Sequence, residues 1–397
     1  MAVTPSAHRF TELLAARTHL GDGGILEILA LSGNTELIPF AGGFPDPATF
    51  PVAAVAACLE QIVALGEPTA FQYSPTRGLP GTIDALATRL EALQGRRPAD
   101  GELLVSSGGI EGLELLGKTF LDAGDVVVVE GPTYLGAIMA FRSFEAEVVA
   151  VSMDESGLDV AELERTLEAG LRPKLLYTIP DHQNPAGVTL TTERRQALVE
   201  LAGRYGFLIV EDVAYRELGF DGTALPSLWS LDPQVVVQLG TTSKTFFPGL
   251  RLGWAAGPAE VIAELVVAKQ NTDQCSSAFG QSLWEAYARS GALDEQLVRS
   301  RALYARRCAL LLDAFERHLP ETVRWTRPSG GFFSWVTLPD GFDAVAFARQ
   351  AAAAGVAVVP GGPFSPDGRG AANLRISFSR VADEWIEPGV ERLAALL

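Results

Sequence analysis

Five short apolar runs constrain this chain more than any other feature. "ELLVSSGG", "DVVVVEGPTY", "KLLYTIPDHQNP", "GFLIVEDVAY" and "QVVVQLGTTSK" are each too short for a helix and end in a polar or glycine-bearing turn. Hydrophobicity that is continuous rather than alternating is what a strand buried on both faces requires, as in a parallel sheet covered by helices. Amphipathic stretches separate the runs. In "GGIEGLELLGKTF" the residues Ile110, Leu113, Leu116 and Phe120 fall near one helical face, and "TTERRQALVELAGRYG" opens on a Thr-x-x-Arg start and stops at Gly206. This alternation predicts an α/β fold whose mostly parallel sheet is flanked by helices, with ligands bound beyond the carboxyl ends of the strands.

From about residue 290 the pattern changes to a long helical stretch, "LDEQLVRSRALYARRCALLLDAFERHL", then alternating "GGFFSWVTL", a helix "DAVAFARQAAAAG" and alternating "NLRISFS". That reads as a smaller α+β domain. A chain of 397 residues, 48% hydrophobic, exceeds the roughly 250 to 300 residues that one core usually serves. The expected division is an N-terminal segment and strap over 1–47, part of the small domain, a large domain over 48–289 and the small C-terminal domain over 290–397. The strap is the Gly/Pro-rich "AGGFPDPATFP".

Charge narrows the partners. With 31 basic and 48 acidic residues the formal charge is −17, which repels nucleic-acid backbones and anionic lipid surfaces, so neither is an expected partner. Cys58, Cys275 and Cys308 show no CxxC spacing, which fits neither a disulfide framework nor a metal site and points to a reducing cytoplasm. The opening "MAVTPSAHRFTELLAARTHLGD" lacks the pattern of a secretory leader, and no apolar run approaches the ~18 residues of a membrane span. A soluble, unprocessed chain is the expectation.

The polar residues at the strand ends carry the chemistry. Lys244 in "TTSKTFFPGLRLGW" follows a buried-type strand and a turn of Gly240, Thr241, Thr242 and Ser243, which aims its amine at the crevice. Desolvation and nearby cations there lower a lysine's pKa and make it nucleophilic, as a Schiff base demands. A phosphate-binding Walker loop would need glycine before the lysine, and Ser243 stands there. "GFLIVEDVAY" drives an apolar run into Glu211 and Asp212; a carboxylate in a dry crevice can pair with a pyridinium nitrogen and keep it protonated. Tyr215 could place its hydroxyl near the same ring, Asn184 in "DHQNPAG" could donate to a ring oxygen, and Tyr134 in "EGPTY" could stack on a flat heteroaromatic ligand. Taken singly, each has a plainer alternative: a solvated lysine, a helix-capping acid, a turn asparagine, a core tyrosine.

Taken together, SSGG, EGPTY, DHQNPAG, ED-x-A-Y, TTSK-x-x-x-PGLRLGW and NLRISFS, in this order over essentially the whole chain, resemble the fold-type I pyridoxal-phosphate aminotransferases of class I/II. The likeness is greatest to the branch of aminoadipate and aromatic aminotransferases and of the aminotransferase-like half of certain transcription regulators. The resemblance implies pyridoxal 5'-phosphate as cofactor. It implies that Lys244 forms a Schiff base with it and later moves the proton on the substrate, that Asp212 holds the pyridine nitrogen, that Asn184 and Tyr215 hold the ring oxygen and that Tyr134 covers the ring face. The phosphate would lie among Thr241, Ser243, Arg251 and the backbone N–H groups of Gly108, Gly109 and Ile110 at a helix N-terminus.

Relatives usually carry a hydroxyl residue and a glutamine where this chain has Gly109 and Ile110, so the phosphate cup relies more on backbone amides and weaker cofactor binding is expected. By the same resemblance Tyr73 in "FQYSPTRG" reaches the phosphate of a neighbouring subunit, which implies a homodimer with shared active sites. Arg375 in "NLRISFS" binds the substrate α-carboxylate, with Gly43 of the strap and Asn184 alongside; here Leu374, Ile376 and Phe378 alternate inward and Arg375 shares the other face with Ser377 and Ser379.

The expected function is transfer of the amino group of an L-amino acid to a 2-oxo acid, 2-oxoglutarate by resemblance, in two half-reactions, within cytoplasmic amino-acid metabolism and biosynthesis. Decarboxylation, elimination or oxidation on the same cofactor would use the same residues. A non-catalytic regulator-like module is the other alternative; it would need a basic DNA-binding module ahead of "AGGFPDP", in a chain that is acidic. Residues 23–29, "GGILEIL", fall where similar enzymes cover the substrate and carry no positive charge, which favours an apolar or aromatic donor. His182 is read as a loop residue that could touch substrate.

Overall fold

The computed structural model of the chain describes residues 10–19 and 36–397; the substrate-covering segment 23–29 lies outside them. Ile38–Pro39 (β1) precedes the eight strands of one sheet, Leu103–Ser106 (β2), Val126–Gly131 (β3), Glu147–Asp154 (β4), Gly157–Leu158 (β5), Leu175–Thr178 (β6), Leu208–Asp212 (β7), Val236–Thr241 (β8) and Gly253–Ala256 (β9). Their order is β2-β9-β8-β7-β6-β3-β4-β5. The five apolar runs of the sequence are β2, β3, β6, β7 and β8. Strands β8, β7, β6, β3 and β4 run parallel, whereas β9 lies antiparallel between β2 and β8 and β5 turns back on β4. Val127, Val128, Val129, Leu175 and Leu176 are sealed from solvent, each such side chain contributing on the order of 2 kcal/mol of hydrophobic stabilisation.

Helices cover the sheet and also aim it. The helix Gly109–Phe120 follows β2 and buries Leu113, Leu115 and Leu116. Ile110 departs from the predicted stripe: it is 39% exposed because the first turn of this helix faces a cavity rather than the core. The helix Thr192–Tyr205 begins and ends as its sequence predicts, with the Thr191 hydroxyl accepting from the Arg194 N–H and Gly206 left-handed at φ 73°.

The remaining strands are Arg324–Trp325 (β10), Phe333–Thr337 (β11), Val356–Ala357 (β12), Val359–Pro360 (β13) and Asn373–Ser377 (β14). An antiparallel sheet of order β10-β11-β14-β13 meets the 27-residue helix Ala292–His318 through Trp325 on Phe315, and that helix packs in turn on Asp383–Ala394. The strap joins this layer: β1 pairs parallel with β12, and the Ser377 N–H donates to the Phe40 carbonyl at 2.8 Å. Strand β14 is interior, with Leu374, Arg375, Ile376 and Ser377 all buried. Arg375 therefore faces protein on the side that a half-buried strand would give to water. The three cysteines are free thiols, and among the described residues no helix is long and apolar enough to cross a membrane.

Candidate active site

The carboxyl ends of β3, β6, β7 and β8 open into a cavity of about 290 Å³. Its wall includes Lys244, Asp212, Asn184, Tyr134 and Tyr215, with Arg375 and Gly43 at one end and Thr241, Ser243, Arg251, Gly109 and Ile110 at the other. Residues drawn from almost the whole length of the chain, from Gly43 to Arg375, meet there.

Strand geometry decides which acid faces the cavity. Successive residues of a strand point to opposite sides, so Glu211 turns away, where its carboxylate accepts from the Leu228 and Trp229 N–H groups at 2.7 and 3.0 Å. Asp212 turns inward. It accepts from the Tyr177 hydroxyl at 2.8 Å and the Ala214 N–H at 3.1 Å. Burial raises the Asp212 carboxyl above the usual aspartate range, and those two donors, with the Lys244 charge, pull it back toward ionisation.

Lys244 sits in the turn after β8, with Nζ donating to the Gly43 carbonyl at 2.8 Å. Burial first, then the Arg375 charge, brings the amine down to about 8; Asp212 opposes this and Arg251 adds to it. A neutral amine is thus accessible near physiological pH, the condition for a nucleophilic lysine.

At the anion end, the Thr241 hydroxyl donates to Ser243 Oγ at 3.0 Å, and Arg251 reaches Ser243 Oγ at 3.5 Å and the Ser107 carbonyl at 3.2 Å. Arg251 holds a left-handed backbone at φ 55°, a strained state that persists where surroundings impose it. Gly108 lies behind this wall at φ 109°, where an added Cβ would stand 2.7 Å from Arg251 Nη2. A Cβ at Gly109 would meet nothing nearer than the Thr241 Cβ at 4.0 Å. The loop ahead of the helix is fixed from below: the Ser107 N–H donates to Glu111, and fully buried Lys269 bonds Glu111 and Asp273 at 2.8 Å.

At the other end, Arg375 donates through Nη1 to Asn184 Oδ1 at 3.0 Å and through Nη2 to the Ala41 carbonyl at 2.9 Å, leaving its buried Nε with no acceptor among the described residues. The rings of Phe333 and Phe364 lie 4.4 and 4.8 Å from its Cζ. The strap residue on the guanidinium is Ala41, while Gly43 bonds Lys244. With its carbonyl taken by Arg375, Asn184 keeps its NH₂ as a donor.

Three residues singled out in the sequence, Gly108, Tyr73 and His182, do not line the cavity. Tyr73 is 75% exposed; two residues before it, Phe71 (61% exposed) packs on Phe279 (38% exposed) with ring centroids 6.0 Å apart. His182 is buried at φ 51° against Gly330 and Gly331 and does not line the cavity. Several cavity residues and their neighbours carry no signal in the sequence. Tyr177 lies inside an apolar run, and only the pairing of Tyr177 with Val210 reveals that it shares a face with Asp212. Phe44, Leu135 and Phe364 complete the apolar wall.

Among the described residues, the charges on the cavity wall are those of Lys244, Arg251 and Arg375 against Asp212. Three cations and one carboxylate suit a ligand that brings its own negative charge. Hydroxyls and a helix N-terminus at one end, a carboxylate and an amine about the middle and an aromatic ring from Tyr134 fit pyridoxal phosphate.

Comparison with known proteins agrees. The family "Aminotransferase class I and II" matches residues 35–393. Aromatic-amino-acid aminotransferase 1 of Thermococcus litoralis is 38% identical over 375 residues, 93% of this chain and 90% of that protein. The 2-aminoadipate transaminase of Thermus thermophilus is 38% identical over 377 residues, 94% and 93% of the two chains. Among solved structures, LysN, the α-aminoadipate aminotransferase of Thermus thermophilus complexed with N-(5'-phosphopyridoxyl)-L-leucine, superposes with a TM-score of 0.91 at 36% identity and covers 98% of each chain.

Proposed function

The chain belongs to the class I and II aminotransferases and uses pyridoxal phosphate, and on that premise we propose that it passes the amino group of an L-amino acid to 2-oxoglutarate in two half-reactions at the cavity described above. The observation that carries this reading is the pairing of a depressed lysine with an inward aspartate at adjacent strand ends. When bound, the cofactor supplies an aldehyde that takes an amine and a ring that accepts electrons. Lys244 would hold the aldehyde carbon covalently and, once displaced by the substrate amine, carry the substrate proton as general base. Asp212 would hold the ring nitrogen, Asn184 and Tyr215 the ring oxygen, and Tyr134 the ring face. Thr241, Ser243, Arg251 and the N–H groups of Gly108, Gly109 and Ile110 would hold the phosphate. Arg375, with Asn184 and Gly43 nearby, would take the substrate carboxylate in a buried environment where a charge-assisted pair is strong.

The same reading includes a cytoplasmic homodimer, supported by the exposed Phe71, Tyr73 and Phe279, which would let Tyr73 reach a second copy's phosphate. It includes the division 1–47, 48–289 and 290–397, supported by the pairing of β1 with β12. It also includes a role in amino-acid biosynthesis. A half-reaction screen tests the chemistry: cofactor-loaded protein is mixed with single amino acids in the absence of an oxo acid. One equivalent of the matching 2-oxo acid per site is expected; release of carbon dioxide, or of ammonia with peroxide, would replace transamination by another reaction.

The open space at Gly109 yields a second expectation. Gly109→Ser adds a hydroxyl at the anion end without a steric conflict, and a hydrogen bond to a charged group there should slow cofactor release by about tenfold. Loss of bound cofactor during dialysis measures it.

A further inference from the structure

Glu130 is the penultimate residue of β3, lines none of the cavity and is 1% exposed. Its hydrogen-bond partners are the Thr178 hydroxyl, the Ile179 N–H at 3.2 and 3.3 Å and Gln183 Nε2 at 2.8 Å. All are neutral donors, and Asp212 is the charged group that acts on it, by repulsion. Burial accordingly pushes the carboxyl up to about 7, with the donors opposing. An ionised acid in such a place costs stability, so stability is a poor reason for it.

Gln183 shows what the carboxylate does. Its Nε2 donates to Glu130 and to the Pro132 carbonyl, its Oε1 accepts from the Ala186 N–H at 2.7 Å, and its backbone pairs with Val188 and Gly187. The 183–188 turn is thereby closed around one side chain whose orientation Glu130 fixes together with the Pro132 carbonyl and the Ala186 N–H. Asn184, the next residue, is the one bonded to Arg375. We propose that Glu130 is a positioning residue: its carboxylate orients Gln183, which closes the 183–188 turn and sets the Asn184 amide against Arg375. This rests on the reading of Arg375 and Asn184 as the partners of the substrate carboxylate.

The inference makes Glu130→Gln informative. A glutamine can still accept from Thr178 and Ile179, but its NH₂ then faces the NH₂ of Gln183. If Gln183 flips to resolve that conflict, the Ala186 N–H faces a donor instead. Either way one donor in the turn lacks an acceptor.

The test follows hydrogen exchange along the cofactor-loaded protein by mass spectrometry at about pH 8, with the unfolding midpoint and steady-state constants. Loss of one buried acceptor should speed exchange across 183–188 by about tenfold. KM for the amino acid should rise roughly tenfold, with kcat within about threefold. The midpoint should not fall, because the ionised form that burial opposes has been removed. The exchanged pair Glu130→Gln with Gln183→Glu puts the carboxylate on the turn, where it accepts both from the Ala186 N–H and from the amide introduced across from it but loses the donor to the Pro132 carbonyl, so it should recover part of the protection and exchange more slowly than Glu130→Gln alone. Unchanged exchange and KM in Glu130→Gln overturn the proposal, and so does a fallen midpoint with faster exchange throughout, which marks a structural role only. The exchange readout needs no turnover, so a failed half-reaction screen leaves the positioning role standing and removes only its link to transamination.

Discussion

Lys244→Ala is expected to abolish covalent attachment of the cofactor and to lower kcat/KM by on the order of 10⁴-fold or more, the scale seen when a covalent and proton-moving group is removed. The variant should fold, since among the described residues the amine's one hydrogen bond is to the Gly43 carbonyl, and its empty space lies in a cavity already open. Absorbance of the lysine-bound cofactor measures attachment; its persistence in the variant would name a different amine. The same group predicts a pH dependence. The protonated amine cannot attack an aldehyde, and burial with the Arg375 charge holds Lys244 to about 8. Covalent capture of pyridoxal phosphate by the cofactor-free protein should therefore accelerate up to about pH 8 and then level off. An ordinary lysine would go on gaining to about 10.4. Stopped-flow absorbance across that range separates the two.

The second large effect belongs to Asp212→Asn. Asparagine keeps the shape but replaces the charge that would hold the ring nitrogen's proton, and removing such a charge from a dry site costs about 10² to 10³ in kcat. Cofactor should still be bound and KM nearly unchanged, because Arg375 and Lys244 are untouched. Burial raises the Asp212 carboxyl while Tyr177 and Ala214 lower it. Capture of cofactor by the cofactor-free protein should thus weaken on acidification in a limb that lies above the pH of an exposed aspartate. Tyr177→Phe removes a donor to the charged form, so it should move that limb further up; a limb unmoved by Tyr177→Phe would assign it to another group.

Much of this was legible in the primary structure. Five buried runs announced the sheet, and the turns after them supplied Lys244, Asp212, Asn184 and Tyr134, since a parallel sheet gathers its strand ends along one edge. What escaped depends on relations between strands that lie far apart in the chain. Tyr177 meets Asp212 only through the register of β6 on β7. Glu130 looked like one more polar residue in "EGPTY", and its meaning resides in Gln183, 53 positions away. Ile110 carried the right period for a core stripe, yet the first helical turn faces the cavity, so tertiary placement overrode pattern. Ala41 rather than Gly43 meets Arg375 through its carbonyl, a group every residue possesses and no composition reveals.

The surplus of positive charge around the cavity has a bearing on how long the molecule lasts. Lys244 and Arg375 repel one another across a poorly screened interior, and a doubly negative occupant relieves that repulsion only while the chain is folded. Anything that binds the native state alone shifts the balance against unfolding in proportion to the logarithm of its concentration. Bound pyridoxal phosphate should therefore raise the unfolding midpoint and slow proteolysis of the purified chain, and its removal should reverse both.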